Sequence, residues 1–298
     1  MKTDQVLIVI MFLLCSCRKE VEINLPKPEN KIIINNLFSS DSVFKVRVST
    51  LQGMFDNSPS VINNAEVKLF INTAFSQNLT SMGNGAYKSD SIRPITGTEY
   101  KIMVSIPNYP TATTSCIMPK NKILLEMTKR KDSVGVNEKG EYYSEATILF
   151  TDPIEENNYY EIRMALIDSL NSGKLYYNLS NLFGNDPVID NENDIQYNPP
   201  FILFSDDLIN GKKYNLKFNY IPTIDHYSEP ANKNYKIVIQ FNSISEEYYK
   251  YKKKLIRHFS AQNSSIWEPS EPAQMYSNVQ GGYGIFAGYC SVTDTILK

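Results

Sequence analysis

The sequence is poor in the side chains that most catalysis uses. Among 298 residues there are two histidines, His226 and His258, four cysteines and a single tryptophan. A zinc site needs three or four clustered His, Cys or acidic ligands, and no such cluster occurs; nor does the Gly-x-Ser-x-Gly turn of many hydrolases. His258 stands beside Arg257 in a helical pattern and reads as a surface residue. His226 follows Asp225, a pairing that could orient an imidazole for acid–base work, but adjacent residues seldom face each other. No catalytic residue, metal site or cofactor is therefore expected. The formal net charge is −2, which lacks the basic excess that nucleic-acid binding calls for. Nucleic acid is not an expected partner.

Long apolar runs are also scarce. The only one is residues 6–14 (VLIVIMFLL), which follows Lys2 and Asp4. A membrane-spanning helix needs ~20 such residues, so this run is too short to cross. Its length suits the apolar part of an export signal, typically ~7–15 residues. It leads into Leu14-Cys15-Ser16-Cys17, which resembles the bacterial lipobox: Leu three positions before the cysteine, a small residue just before it, then the cysteine to be acylated. Cys15 fits less well, because the bulky Leu14 would precede the cleaved bond. Residues 1–16 are thus expected to be a removable signal peptide and Cys17 the lipidated residue. Several acyl chains hold a protein on a bilayer far more firmly than one, since each buried methylene contributes ~0.8 kcal/mol. Residues 17–30, with Pro26 and Pro28, read as a tether.

What is abundant is aromatic and β-branched: 20 Tyr and 14 Phe, arranged with a period of two. Phe44, Val46 and Val48 alternate with Lys45, Arg47 and Ser49; Val67, Leu69 and Ile71 repeat the pattern, as do Tyr100, Ile102, Val104 and Ile106. Such short alternating runs between turn residues predict half-buried antiparallel strands. The expected fold is mainly β, in two β-domains. Residues 31–119 would form an immunoglobulin- or transthyretin-like sandwich. Residues 120–298 would form a larger antiparallel β-domain with one helix near residues 245–259 and a final strand around residues 285–292. Ser243 and Glu246 have capping-box spacing for that helix. Its buried face would carry Tyr248, Tyr251 or Lys252, Leu255 and Phe259. Lys250, Lys252, Lys253, Lys254 and Arg257 would form a cationic face opposite, either merely solvated or in contact with anionic headgroups or a partner.

The acidic loop with Asp186, Asp190, Glu192 and Asp194 offers hard oxygen ligands of the kind Ca²⁺ takes, but it does not match an EF-hand, and a solvated loop is the commoner arrangement. Phe204-Ser205-Asp206-Asp207 with Asn210-Gly211 reads as a strand end and turn. The glycines between Gly281 and Gly288 lack the strand–helix context of a phosphate loop and are better explained by close backbone packing. Cys116 and Cys290 could be bridged in an oxidising compartment, or be two buried free thiols.

The mature chain as a whole resembles the outer-membrane lipoproteins grouped as domain-of-unknown-function family 4249. The resemblance rests on Val21-Glu22-Ile23-Asn24-Leu25-Pro26 after Cys17, Phe55-Asp56-Asn57-Ser58-Pro59, Gly85-Ala86-Tyr87, Phe204-Ser205-Asp206-Asp207 and Ser243-Ile244-Ser245-Glu246-Glu247-Tyr248-Tyr249. The most specific segment is Ser277-Asn278-Val279-Gln280-Gly281-Gly282-Tyr283-Gly284-Ile285-Phe286. It implies a lipoprotein held on the outer membrane through Cys17, with the cell surface favoured over the periplasmic face. A TonB-dependent receptor is the implied partner, and no catalytic residue is implied. Arg18-Lys19-Glu20 is more basic than the charged export signal that some related surface lipoproteins carry. A ligand site, if present, is expected in an aromatic-rich loop, with residues 55–59 as the first choice. The alternative is a structural or adhesive surface lipoprotein.

Overall fold

The computed structural model describes residues 29–53, 60–120, 123–137, 139–154, 157–169, 175–179, 182–184, 186–190, 199–222, 236–262, 271 and 273–296. Cys17, residues 55–59, the Asp225-His226 pair, Glu192 and Asp194 lie outside the described residues.

The fold is mainly β. The first region holds β1 (Ile32–Ser39), β2 (Lys45–Thr50), β3 (Glu66–Ile71), β4 (Ala74–Asn78), β5 (Thr80–Gly83), β6 (Ala86–Lys88), β7 (Glu99–Ser105) and β8 (Ala112–Ile117). The second holds β9 (Leu125–Val136), β10 (Tyr142–Thr151), β11 (Tyr159–Ser169), β12 (Leu175–Leu179), β13 (Leu182–Phe183), β14 (Ile202–Ser205), β15 (Lys213–Tyr220) and β16 (Lys236–Ile244). The helix α1 (Glu246–Gln262) and the long strand β17 (Gly282–Ile296) complete the chain. The alternation does what period two requires: Tyr100, Ile102 and Val104 of β7, and Ala146, Ile148 and Phe150 of β10, are buried while their neighbours are not.

Two sandwiches result, and β17 belongs to both. Its first half runs parallel to β1, from Ile32↔Gly282 to Ser39↔Tyr289. Its second half runs antiparallel to β16, from Ile244↔Tyr289 to Ile237↔Ile296. The strand changes partners at Tyr289. Strands β17, β1, β2, β6 and β5 therefore face the sheet β4-β3-β7-β8, and their core gathers Ile34, Phe44, Val46, Tyr100, Ile102 and Phe286. In the other sandwich, β17, β16 and β11 face the sheet β13-β15-β10-β9 around Phe150, Tyr160, Phe204, Leu216 and Phe241. Strands β14 and β12 pair with opposite ends of β11. Each fully buried side chain of this kind contributes about 1.5–3 kcal/mol.

The sequence reading divides the chain at residue 119 and gives all of residues 120–298 to the second unit. Met118 and Ile123 do fall in different cores, but Val279, Phe286 and Cys290 pack in the first. The reason is β17: once it lies beside β1, alternate residues of its first half must face the first core. That β1–β17 pairing is parallel, against the purely antiparallel expectation. Gly282 and Gly284 make it feasible, since a Cβ on them would stand 2.2 and 2.0 Å from the carbonyl oxygens of Ile32 and Ile34. Close backbone approach is the role expected for these glycines.

Helix α1 covers the opposite side of β17, over the place where the sandwiches meet. Tyr248 and Ile256 pack with Ile285 and Ala287 of β17, Ile244 of β16, and Phe201 and Leu203 at β14. Buried from both sides, Ile285, Phe286, Ala287 and Gly288 show no alternation. The N-cap is Ser245, whose Oγ accepts from the Tyr248 amide at 3.3 Å; Ser243 is still within β16, so the capping box expected with Glu246 does not form.

Candidate functional site

The face of α1 that turns inward is Tyr248, Lys252 and Ile256, at steps of four. The helical spacing offers Lys252 both as an alternative to Tyr251 on the buried face and as part of the outer cationic cluster; the structure places it inside, 6% exposed. The cause is a carboxylate beneath it. Glu161 sits on β11 on the helix side, fully buried. Its Oε1 lies 3.0 Å from Lys252 Nζ and accepts from Arg163 Nη2 at 3.1 Å. Its Oε2 accepts from Arg163 Nε at 3.0 Å, Asn242 Nδ2 at 2.9 Å and the Tyr248 hydroxyl at 3.1 Å. Burial alone would raise the Glu161 carboxyl, but Lys252 and Arg163 outweigh it and hold the group below the usual range. Burial lowers the Lys252 ammonium in spite of Glu161. Lys252 Nζ also lies 4.2 Å from the centre of the Phe201 ring, a cation–π contact.

A second tie joins α1 to the acidic loop. Tyr249 donates to Asp190 Oδ2, and Lys253 approaches the same oxygen at 3.6 Å. Asp186 is committed elsewhere, accepting from Tyr214 at 2.6 Å and from the amides of Val188 and Lys217. The two carboxylates thus anchor different elements, and no group of three metal-ligating residues occurs among the described residues. Lys250 pairs with Glu246 at 2.8 Å, so much of the cationic cluster is spent in ion pairs. His258 stays on the surface of α1, 3.0 Å from the Gln262 amide.

Asp152 and Asp206, both buried, close two turns of the second sandwich. Asp152 accepts from the Tyr160 hydroxyl and, at 2.9 Å, from the Gly211 amide. Asp206 accepts from the Asn158 amide at 2.9 Å. Burial first, and Asp206 in addition, pushes the Asp152 carboxyl up. The Phe204-to-Gly211 segment is accordingly a strand end and turn, as its sequence reads. Cys116 and Cys290 are both free and buried, the second of the two alternatives. Burial, with Glu247 nearby, pushes the Cys116 thiol far up.

Two grooves flank α1. One of about 450 Å³ lies at its amino end, between Met118 and Pro119 of the connecting segment and Ser243 to Glu247. The other, of about 510 Å³, lies between Tyr251 and the outer face of β1 and β2. Both have the size of small-molecule sites, about 300–1,000 Å³.

The family model for a domain of unknown function, DUF4249, matches residues 18–295. The chain belongs to the DUF4249 family. No curated protein matches it. Among solved structures, a β-glucuronidase from glycoside hydrolase family 2 aligns at 11% identity over 87% of this chain and 22% of that one. The chain spans about a fifth of that enzyme's length, and at a TM-score of 0.23 the likeness carries no argument about fold or activity.

Several segments that carry the DUF4249 resemblance have structural duties here. Tyr87 donates to the Ile62 carbonyl and accepts from the Ala65 amide, both at 2.9 Å. Asn278 pairs with the backbone of Phe286 in both directions, at 2.8 and 3.0 Å, standing in for a neighbouring strand. The Glu161 cluster escaped the sequence reading. Its signal was present: Glu161 and Arg163 interrupt an apolar strand on one face, and Lys252 shares a helical stripe with Tyr248 and Ile256.

Proposed function

We propose that this DUF4249 protein is an outer-membrane lipoprotein, acylated at Cys17, that serves without catalysis as an accessory or ligand-capture component of a TonB-dependent transporter. The observation that carries this reading is Leu14-Cys15-Ser16-Cys17 behind a short apolar run. Family membership supports it. So does the use of the buried carboxylates Glu161, Asp152 and Asp206, each of which ties one element to another. No helix among the described residues is long and apolar enough to cross a membrane. In this reading the acyl chains on Cys17 hold the protein on the membrane, with the two sandwiches presenting their loops and grooves on the cell surface.

Labelled palmitate is expected to enter the wild-type protein and not a Cys17→Ser variant, which should leave the membrane fraction. Purification from detergent-solubilised outer membranes is expected to bring down a TonB-dependent receptor. Recovery of the protein alone in repeated preparations would overturn the transporter association. A deletion strain that keeps nutrient uptake but loses surface attachment would point to an adhesive role instead.

A further inference from the structure

The groove beside Tyr251 carries positive charge that no acidic side chain among the described residues pairs with. Lys45 and Arg47 are both exposed, two residues apart on β2, and so point from the same face of the sheet. On β6, Lys88 stands directly opposite Lys45. Like charges in that relation destabilise a sheet. None of the three has an ionic partner among the described residues, whereas Lys250, Lys252 and Lys253 nearby on α1 all do.

The rest of the lining fits a ligand with two parts. Leu37, 38% exposed, and Ile285 give an apolar floor. The Tyr251 ring forms the opposite wall, half-buried, its hydroxyl without a hydrogen-bond partner among the described residues. Cations at one side and apolar surface at the other select an anionic group on an apolar body.

We propose that the groove between α1 and the β1–β2 face binds a small amphipathic anion, with its phosphate or carboxylate held by Arg47 and Lys45 and its apolar part lying over Leu37 against Tyr251. Arg47 suits the task because its planar fork matches an oxyanion. Helix α1 is fastened to the second sandwich through Glu161 and Asp190, while β1 and β2 belong to the first. The ligand would therefore touch both halves of the molecule. The site does not depend on acylation of Cys17.

Calorimetry with octyl phosphate below its micelle concentration tests the proposal, using octyl glucoside as the uncharged control and inorganic phosphate as the tailless one. The wild-type protein is expected to bind octyl phosphate, inorganic phosphate more weakly, and octyl glucoside not at all. Lys45→Gln with Arg47→Gln, at exposed positions that leave both cores intact, should weaken binding by about tenfold or more, as loss of charge-assisted hydrogen bonds implies. Leu37→Ser should weaken octyl phosphate and leave inorganic phosphate unchanged. Vesicles containing phosphatidylglycerol separate the sources: uptake by vesicles that needs Lys45 and Arg47 assigns a lipid headgroup, and monomer binding without it assigns a soluble anion. No octyl phosphate binding, equal binding by the double variant, or equal binding of octyl glucoside overturns the proposal.

Discussion

Lys252 of α1 and Glu161 of β11 lie 3.0 Å apart with almost no exposure to solvent, and Arg163 shares the same carboxylate. Breaking a buried pair from one side costs about 3–5 kcal/mol, because the partner keeps its charge without compensation. Glu161→Gln leaves two cations facing each other and is expected to lose stability on that scale. Lys252→Met leaves Glu161 with Arg163 and should lose less. The double variant should be more stable than Glu161→Gln alone, which denaturant unfolding of the full set would show; additive losses would mean the pair is not coupled.

The same carboxylate sets an acid limb. Its folded pKa is depressed below the ordinary value of 4.5, so between the two values the unfolded chain binds more protons and stability rises with pH. The Glu161 contribution is thus present above about pH 4.5 and is lost as pH falls through the folded value. Asp152, raised chiefly by burial, has the opposite slope in the neighbouring range. Comparing urea midpoints of wild type and Lys252→Met from pH 7 to 3 cancels Asp152. The wild type should fall more steeply.

Cys116 and Cys290 are buried thiols, and burial pushes Cys116 up so that almost no thiolate forms near neutrality. Neither should react with Ellman's reagent in the native protein, and both should react in guanidinium without prior reduction. Failure to react after unfolding would reveal a bridge.

Gly284 has φ +117°, and a Cβ there would sit 2.0 Å from the Ile34 carbonyl oxygen. Gly284→Ala should cost roughly 1–3 kcal/mol from the backbone alone, with the parallel β1–β17 pairing the first element to loosen. Amide exchange should therefore quicken in β1 before it does in β10. Uniform quickening would show that β17 unfolds only with the whole chain.

Much of the local structure was legible in the residues. Tyr100, Ile102 and Val104, or Ala146, Ile148 and Phe150, repeat every second position, and only a strand with one buried face puts such residues together. Strands β4 and β5 were not legible, because nearly all their side chains are exposed and no alternation marks them. The helix was legible, but its orientation was not: Lys252 counts as polar in any periodicity, and only the carboxylate from a strand about 90 residues earlier makes its burial tolerable. The unbalanced pair Lys45 and Arg47 could be seen as one face of a strand, though not as one wall of a groove.

Period two and period 3.6 are properties of neighbouring residues, so the amino-acid order alone determined that the chain would be mainly strand with a helix near its end. The tertiary structure decided how far the two sandwiches are separate. Hydrogen-bond partners of a strand are chosen across the chain, and nothing within residues 282–296 announces that β17 will leave β1 for β16 at Tyr289. That change of partner binds both cores into one molecule, lays α1 over their joint, and sets Tyr251 opposite Arg47.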